Sequence, residues 1–152
     1  MTPRPLLKDV DLFRDFADAH LERLAASAKA ATVRRGECVY REGDGGDRLY
    51  AVLSGVVDVG RTGKDGKFVR LARLERGEVF GALGPGARGG AAVAAIVPET
   101  HLVSWEAADL QSLASTDPAF SLVFHRALVA RLSGRLQAAS EAVFTLLQAM
   151  AR

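Results

Sequence analysis

The stretch from residue 77 to residue 93, GEVFGALGPGARGGAAV, contains the residue types that most directly suggest ligand chemistry. Glu78 is its only acid and Arg88 its only base, and Pro85 stands among six glycines at positions 77, 81, 84, 86, 89 and 90. So much backbone freedom indicates that the main chain either approaches a ligand closely or turns sharply. The residues alone leave both interpretations open.

Residues that could perform other chemistry are few and scattered. His20, His101 and His125 are far apart, and none stands four residues from another, so we expect no metal site. The single cysteine, Cys38, excludes an internal disulfide framework, and we expect it to be a small core residue in a strand. The chain has no Gly-x-Ser-x-Gly, His-Glu-x-x-His or phosphate-loop motif, and no activated nucleophile can be assembled. We therefore expect no enzyme activity.

Composition and charge restrict the class of protein. The chain has 152 residues, 49% hydrophobic and 25% charged, which is typical of one globular domain. Its 20 basic and 18 acidic residues give a net charge of +2, which is too balanced for a nucleic-acid-binding surface. No run of 18 apolar residues is present, and the N-terminus carries charges where a signal peptide needs an apolar segment. We expect a cytoplasmic protein with no membrane contact and no direct DNA binding.

Short segments with different periodicity define the elements. Residues 18–28 predict an amphipathic helix capped by Asp18, with Leu21, Leu24, Ala25 and Ala28 on one face. Short strands then alternate with glycine-bearing turns, which favours a sandwich or jelly roll. The strand segments are KAATVR, CVYR, RLYAVLS, VVDVGRT, KFVRLARL, AAVAAIV and THLVSW. Asp65-Gly66 predicts a type I′ hairpin turn, and Trp105 is expected in the core or under the C-terminal helix.

The pattern becomes helical after Glu106, first in EAADLQSLAS and then in a long second helix. Asp117 and Pro118 fit the N-cap and first position of this second helix, which continues towards Arg152. Its apolar residues follow steps of three and four, which predicts a coiled-coil seam. The seam consists of Val129, Leu132, Leu136, Ala139, Val143, Leu146 and Met150, while Arg131 and Arg135 belong to the other faces. The helix either packs on its own domain or pairs with a second copy, and its length favours a homodimer.

The order of these elements resembles the cyclic nucleotide-binding domain found in bacterial catabolite activators and in cyclic-nucleotide-gated kinases and channels. The segments that carry the resemblance are VDLFRDFADAHLERLA, RRGECVYREGDGGDRLYAVLSGVVDV, LERGEVFGAL and THLVSWEAADLQSLA. The spacing GExxxxxGxxxxxLYxxxxG, from Gly36 to Gly55, is its most specific part. The expected fold is mainly β with flanking helices, as a single domain. A helical segment (8–28) precedes an eight-stranded jelly roll or β-roll (29–106), and C-terminal helices follow (107–152).

In that family, the segment that corresponds to this glycine-rich stretch is the phosphate-binding cassette. A glutamate of the family cassette accepts a hydrogen bond from the ribose 2′-hydroxyl, and an arginine pairs with the cyclic phosphate. Phe80, Gly81 and Leu83 match the family pattern. Ala82 stands at the glutamate position, Gly90 at the arginine position and Ala92 at the position of a Thr or Ser. The whole candidate ligand site comprises Gly77, Glu78, Phe80, Gly81, Ala82, Leu83, Arg88, Gly90, Ala91 and Ala92.

The two replacements should weaken any cyclic nucleotide site. Loss of two charge-assisted contacts removes roughly 3–6 kcal/mol of binding free energy, or about a hundredfold to ten-thousandfold in affinity. We therefore expect no bound cofactor and a regulatory or scaffolding module that acts through dimerisation and a protein partner. Two alternatives stay open: a cAMP or other nucleotide sensor that uses Arg88 and backbone N–H groups, and the ligand domain of a truncated transcription regulator.

Overall fold

The computed structural model describes residues 7–40, 48–81 and 92–151. A 3-10 turn (Asp11–Phe13) leads into helix α1 (Asp18–Ser27). The strands follow as β1 (Lys29–Arg34), β2 (Cys38–Tyr40), β3 (Arg48–Ser54), β4 (Val57–Thr62), β5 (Phe68–Leu74), β6 (Val79–Gly81), β7 (Ala92–Ala95) and β8 (Glu99–Glu106). Helices α2 (Ala107–Thr116) and α3 (Pro118–Met150) complete the described chain.

The described strands form two antiparallel sheets of four strands each. One sheet has the order β1-β8-β3-β6 and the other the order β2-β7-β4-β5. The pairing of β3 with β8 places Tyr50 opposite Ser104, and the pairing of β4 with β5 is interrupted by a bulge near Gly60. The prediction of a mainly β fold with flanking helices is therefore confirmed.

Two hydrophobic cores hold the layers together. The larger lies between the helices and the first sheet, and Trp105 is fully buried there, with its ring edge-on to Phe13 at 5.2 Å between centroids. The Trp105 Nε1–H donates to the carbonyl of Leu24 at 2.7 Å, which satisfies the one polar atom of this side chain. The smaller core consists of Val52, Val57, Leu74, Phe80 and Leu102. Trp105 thus packs in the core as predicted.

Several local predictions are confirmed and others are wrong. Asp117 Oδ1 accepts from Phe120 N at 3.1 Å, so the predicted cap of α3 is confirmed. Asp18 is the first residue of α1, and the N-cap is Ala17 without a side-chain hydrogen bond. Cys38 lies in a strand, but it is exposed and is not a core residue. Ala28 follows the end of α1 and is half-buried.

The β4–β5 hairpin is present, but its turn is not type I′. A type I′ turn needs positive φ at both central residues, and within the described chain positive φ occurs only at glycines. Gly66 adopts φ +80°, its N–H donates to the carbonyl of Gly63, and Gly63 N donates to Lys67 O at 2.8 Å. The loop therefore has three residues between Gly63 and Lys67, with Gly66 in the left-handed position.

Candidate functional site

A tight turn at Gly77 positions the start of the glycine-rich stretch. Gly77 has φ +92°, and a Cβ there would stand 3.0 Å from the carbonyl oxygen of Asp9. Its N–H donates to Val52 O at 2.8 Å, and its carbonyl accepts from Asp11 N at 2.9 Å. These two bonds fix the turn between β3 and the N-terminal segment, so β6 leaves the turn in one defined direction.

Glu78, next to this turn, is engaged at both carboxylate oxygens. Its Oε1 accepts from the backbone N–H of Glu75 at 3.1 Å, and its Oε2 accepts from Arg131 Nη2 on α3 at 2.9 Å. About 30% of the Glu78 side chain and 27% of the Arg131 side chain are exposed, so the ion pair is partly removed from water. The Nε of Arg131 is buried and has no hydrogen-bond partner within the described residues.

Strand β6 continues this connection between the roll and α3. Arg135, one turn after Arg131, donates from Nη2 to the carbonyl of Val79. The Phe80 ring stacks on Tyr50 with 5.0 Å between centroids and 5° between planes. Gly81 has φ +101°, and a Cβ there would stand 2.5 Å from Arg48 O, so only glycine fits where the chain enters the cassette.

A cavity of about 1150 Å³ lies between α3 and the roll, with β6 along one side. Apolar groups such as Phe16, Leu71 and Val123 form part of its wall. Its charged lining residues are Asp11, Asp15, Arg73, Glu78, Arg126, Arg131 and Arg135. Small-molecule pockets in proteins commonly enclose about 300–1,000 Å³, mostly lined by apolar groups with a few polar ones. The cavity can therefore accommodate a small organic ligand.

The positive charge of Arg73, which lines this cavity, is neutralised by Asp58. Arg73 Nε lies 2.8 Å from Asp58 Oδ1 and Arg73 Nη2 lies 3.2 Å from Asp58 Oδ2, in a two-point ion pair. The hydrogen bond to Asp58 raises the pKa of the Arg73 guanidinium above its ordinary value. Arg73 is thus paired with a carboxylate, whereas Arg126, which also lines the cavity, forms no ion pair within the described residues.

The predicted ligand-site residues fall into two groups. Glu78, Phe80 and Gly81 line the cavity, and Gly77 directly precedes them. Ala82, Leu83, Arg88, Gly90 and Ala91 lie outside the described residues. The backbone of Ala92 begins β7 and pairs with Gly60 on β4. The structure therefore brings Glu78, Phe80 and Gly81 to one cavity, and the ionic positions of the cassette, Ala82 and Gly90, lie outside the described residues.

Sequence reasoning missed the contribution of α3 to this site. Arg131 and Arg135 were assigned only to the faces of α3 away from the seam, whereas both contact the roll at Glu78 and Val79. The available signal was their spacing of four residues, which puts two cations on one face of a helix. Arg131 is 53 residues from Glu78 and Arg135 is 56 residues from Val79, and no local pattern reveals such pairings.

The predicted dimer seam lies on an uncovered surface. The buried residues of α3 are Phe120 and Phe124, both in its first two turns, and every described residue from 132 onward is exposed. Leu136 is 69% exposed and Met150 is 72% exposed. The remaining seam residues, Val129, Leu132, Ala139, Val143 and Leu146, are also exposed.

Comparisons with known proteins identify the family and the relatives that this chain resembles. Residues 30–117 match the family model of the cyclic nucleotide-binding domain. A CRP-like cAMP-activated global transcriptional regulator of Mycobacterium tuberculosis is 29% identical over 143 residues, which are 92% of this chain and 63% of that protein. A cAMP-dependent protein kinase regulatory subunit of Yarrowia lipolytica is 33% identical over 75 residues, 49% of this chain and 19% of that subunit.

A solved structure supports the same relationship. The N-terminal domain of a transcriptional regulator from Streptomyces coelicolor A3(2) superposes with a TM-score of 0.70 at 31% identity, covering 88% of this chain and 96% of that domain. This chain spans less than two thirds of the Mycobacterium tuberculosis relative. Within the described residues, no helix is both long and apolar enough to cross a membrane. From the family match, the sequence relatives and the shared fold, we conclude that this chain belongs to the cyclic nucleotide-binding domain family.

Proposed function

We propose that this domain is a non-catalytic regulatory or scaffolding module, which acts through homodimerisation of α3 and through a protein partner. In this proposal it does not bind cAMP or cGMP by the contacts usual in its family. The observation that carries the proposal is the exposed apolar seam on α3, because a monomer would leave that stripe in water. Monomeric soluble proteins rarely expose continuous apolar patches of more than a few hundred Å².

The shape of α3 supports a pairing of two such helices. Its 33 residues extend about 50 Å at 1.5 Å per residue, and Phe120 and Phe124 in its first two turns are its buried residues. A repeat of 3.5 residues keeps one stripe facing a partner helix along its length. Ala139, in the middle of the seam, allows two helices to approach closely.

Sedimentation equilibrium tests the dimer directly. We expect the wild-type chain to run at twice its 16.2 kDa mass at tens of micromolar. Leu136→Glu would place two like charges against each other in the seam and should give monomers. Gln137→Glu adds the same charge on an exposed neighbouring residue and should leave the dimer intact. A wild-type monomer would contradict the proposal.

The ligand part of the proposal follows from Ala82 and Gly90. Because roughly 3–6 kcal/mol of contacts are missing, we expect no saturable cAMP or cGMP binding below about 100 μM by calorimetry. A micromolar dissociation constant would refute this part and leave the dimer proposal standing.

A nucleotide sensor is the second candidate, and the cavity beside Gly81 favours it. Arg131 and Arg135 on its wall could join Arg88 and backbone N–H groups in holding an anion. If binding is found and Arg88→Ala abolishes it, this candidate replaces the first. Arg70→Ala, which removes an exposed arginine that does not line the cavity, is the matched control and should leave binding unchanged.

The third candidate is the ligand domain of a longer, catabolite activator-like regulator. It is favoured by the match of 92% of this chain to 63% of the mycobacterial transcriptional regulator. Further coding sequence with a helix-turn-helix after Arg152 would support this candidate.

A further inference from the structure

Strand β5 forms one edge of the second sheet. In the order β2-β7-β4-β5 it has β4 on one side and no other described strand on its outer side. Gly63 N donates to Lys67 O at the start of the hairpin, and hydrogen-bonded pairs alternate along an antiparallel ladder. The pair Arg61–Val69 is therefore hydrogen-bonded, and Phe68 and Arg70 direct their backbone N–H and C=O groups away from β4.

This edge also exposes large apolar side chains. Phe68 is 46% exposed, Val69 is 53% exposed and Leu71, which also borders the cavity, is 63% exposed. The other edge strands, β1, β2 and β6, contribute none of the large apolar side chains that are exposed in the described part of the chain. The combination of a hydrogen-bonding edge and exposed apolar side chains is thus specific to β5 in the described part of the chain.

The same hairpin concentrates positive charge. Residues 61–76 contain six basic and two acidic side chains, so they carry +4 in a chain whose net charge is +2. Arg73 and Arg76 are already paired with Asp58 and Asp9. The side chains of Lys64, Lys67 and Arg70 form no ion pair within the described residues.

Cations on a strand edge prevent two identical edges from pairing, because like charges would then face each other. They do not oppose an acidic strand, whose carboxylates would neutralise them. The charge therefore disfavours a second copy of this edge and favours an acidic segment. The near-neutral charge of the whole chain offers little general attraction for nucleic acid.

We propose that the outer edge of β5 is a docking surface for an extended acidic segment of a protein partner, which adds to the sheet as a further strand. Main-chain hydrogen bonds at Phe68 and Arg70 would supply the pairing, and alternate side chains would supply the selectivity. Glutamates would face Arg70 on one side of the sheet, while apolar residues would cover Val69 and Leu71 on the other side. This inference deepens the proposed partner-binding function and is independent of the α3 dimer.

A fluorescein-labelled heptapeptide of alternating glutamate and valine is the probe, because alternation puts its valines on one face of a strand and its glutamates on the other. We expect saturable binding by fluorescence anisotropy. A peptide of equal composition, with four glutamates followed by three valines, should bind at least about tenfold more weakly. In hydrogen exchange, the amides of Phe68 and Arg70 should slow when the alternating peptide is present.

Charge reversal on β5 supplies the variant test. Lys67→Glu with Arg70→Glu should weaken peptide binding by about tenfold, since the ion pair at Arg70 is replaced by a repulsion and a second cation at the same edge becomes an anion. Lys29→Glu with Arg34→Glu reverses two charges on the other edge strand, β1, and should leave binding unchanged. Circular dichroism verifies that each variant folds, and sedimentation of the same samples reports the α3 dimer separately.

Four results would overturn the proposal. Equal affinity for the two peptides would show a purely electrostatic attraction. Binding to vesicles of phosphatidylserine and phosphatidylcholine without peptide binding would identify a membrane surface. Dissociation of the dimer by the β5 variant would show that a second copy occupies this edge. If the wild-type dimer does not bind the alternating peptide, this inference is wrong and the proposed dimerisation is unaffected.

Discussion

The ion pair between Glu78 and Arg131 should couple the start of the cassette to α3 by a measurable free energy. The two side chains meet at 2.9 Å between Oε2 and Nη2 and are about 30% and 27% exposed. Fully exposed ion pairs contribute about 0.2–1 kcal/mol, whereas hydrogen bonds to charged groups in proteins contribute about 1.5–3 kcal/mol. Partial burial places this pair between the two ranges, so we expect a coupling free energy of about 1.5 kcal/mol.

A double-mutant cycle with Glu78→Gln and Arg131→Met measures this coupling. Methionine keeps much of the aliphatic stem that packs beneath the arginine head and removes the charge. Each single variant should lower the free energy of unfolding by about 2 kcal/mol, because the remaining partner loses its counter-charge in a half-buried position. The double variant should lose about 1.5 kcal/mol less than the sum of the two single losses.

Urea unfolding followed by circular dichroism is the assay, at one protein concentration because dimerisation would contribute to stability. The pair Arg76–Asp9 is the matched control, since its atoms lie 2.8 Å apart but its side chains are 65% and 45% exposed. Its cycle, with Arg76→Met and Asp9→Asn, should give a coupling of less than about 0.5 kcal/mol. A coupling at Glu78–Arg131 no larger than this control would refute the reasoning that the pair connects β6 to α3.

Two further predictions concern the cassette and the turns. Restoring the missing contacts with Ala82→Glu and Gly90→Arg together should tighten cAMP binding by at least about a hundredfold in calorimetry, at about 1.5–3 kcal/mol for each contact; no gain would show that the cassette backbone is also unsuited to the nucleotide. Gly55→Ala should lower the free energy of unfolding by about 3 kcal/mol or more, because φ is +95° and the new Cβ would stand 2.7 Å from Thr100 Cα. Gly66→Ala, at φ +80° with no atom within 4 Å of the new Cβ, should lose only about 1–2 kcal/mol in the same urea experiment, and equal losses would contradict the steric explanation.

Much of the fold could be predicted because its signals are local. Asp117 and Pro118 define the start of α3 through a cap that involves residues three positions apart. Turn glycines separate segments rich in β-branched residues, and Gly36, Gly55, Gly66 and Gly77 all adopt the positive φ that only glycine readily takes. Such signals depend on neighbours in the chain, so they can be read without knowing the sheet order.

The failures involve residues whose environment depends on distant parts of the chain. Cys38 was expected in the core because free cysteine is usually buried, but the short strand β2 leaves it exposed. Asp18 matches a capping residue in type, yet the chain enters α1 one residue earlier, at Ala17. The pairing of Arg131 with Glu78 depends on how α3 lies across the roll, which helical periodicity does not determine.

The uncovered part of α3 turns small rotations into large displacements. Residues 136–151 follow the last hydrogen bonds between α3 and the roll, and at 1.5 Å per residue this segment is about 24 Å long. Arg131 and Arg135 bind Glu78 and Val79 at the base of this segment, so α3 would pivot at these two contacts. A shift of β6 that tilts α3 by about 10° at Arg135 would move the helix near Met150 by about 4 Å. A small movement at Glu78 or Val79 would in this way produce a larger movement at the C-terminal end of α3.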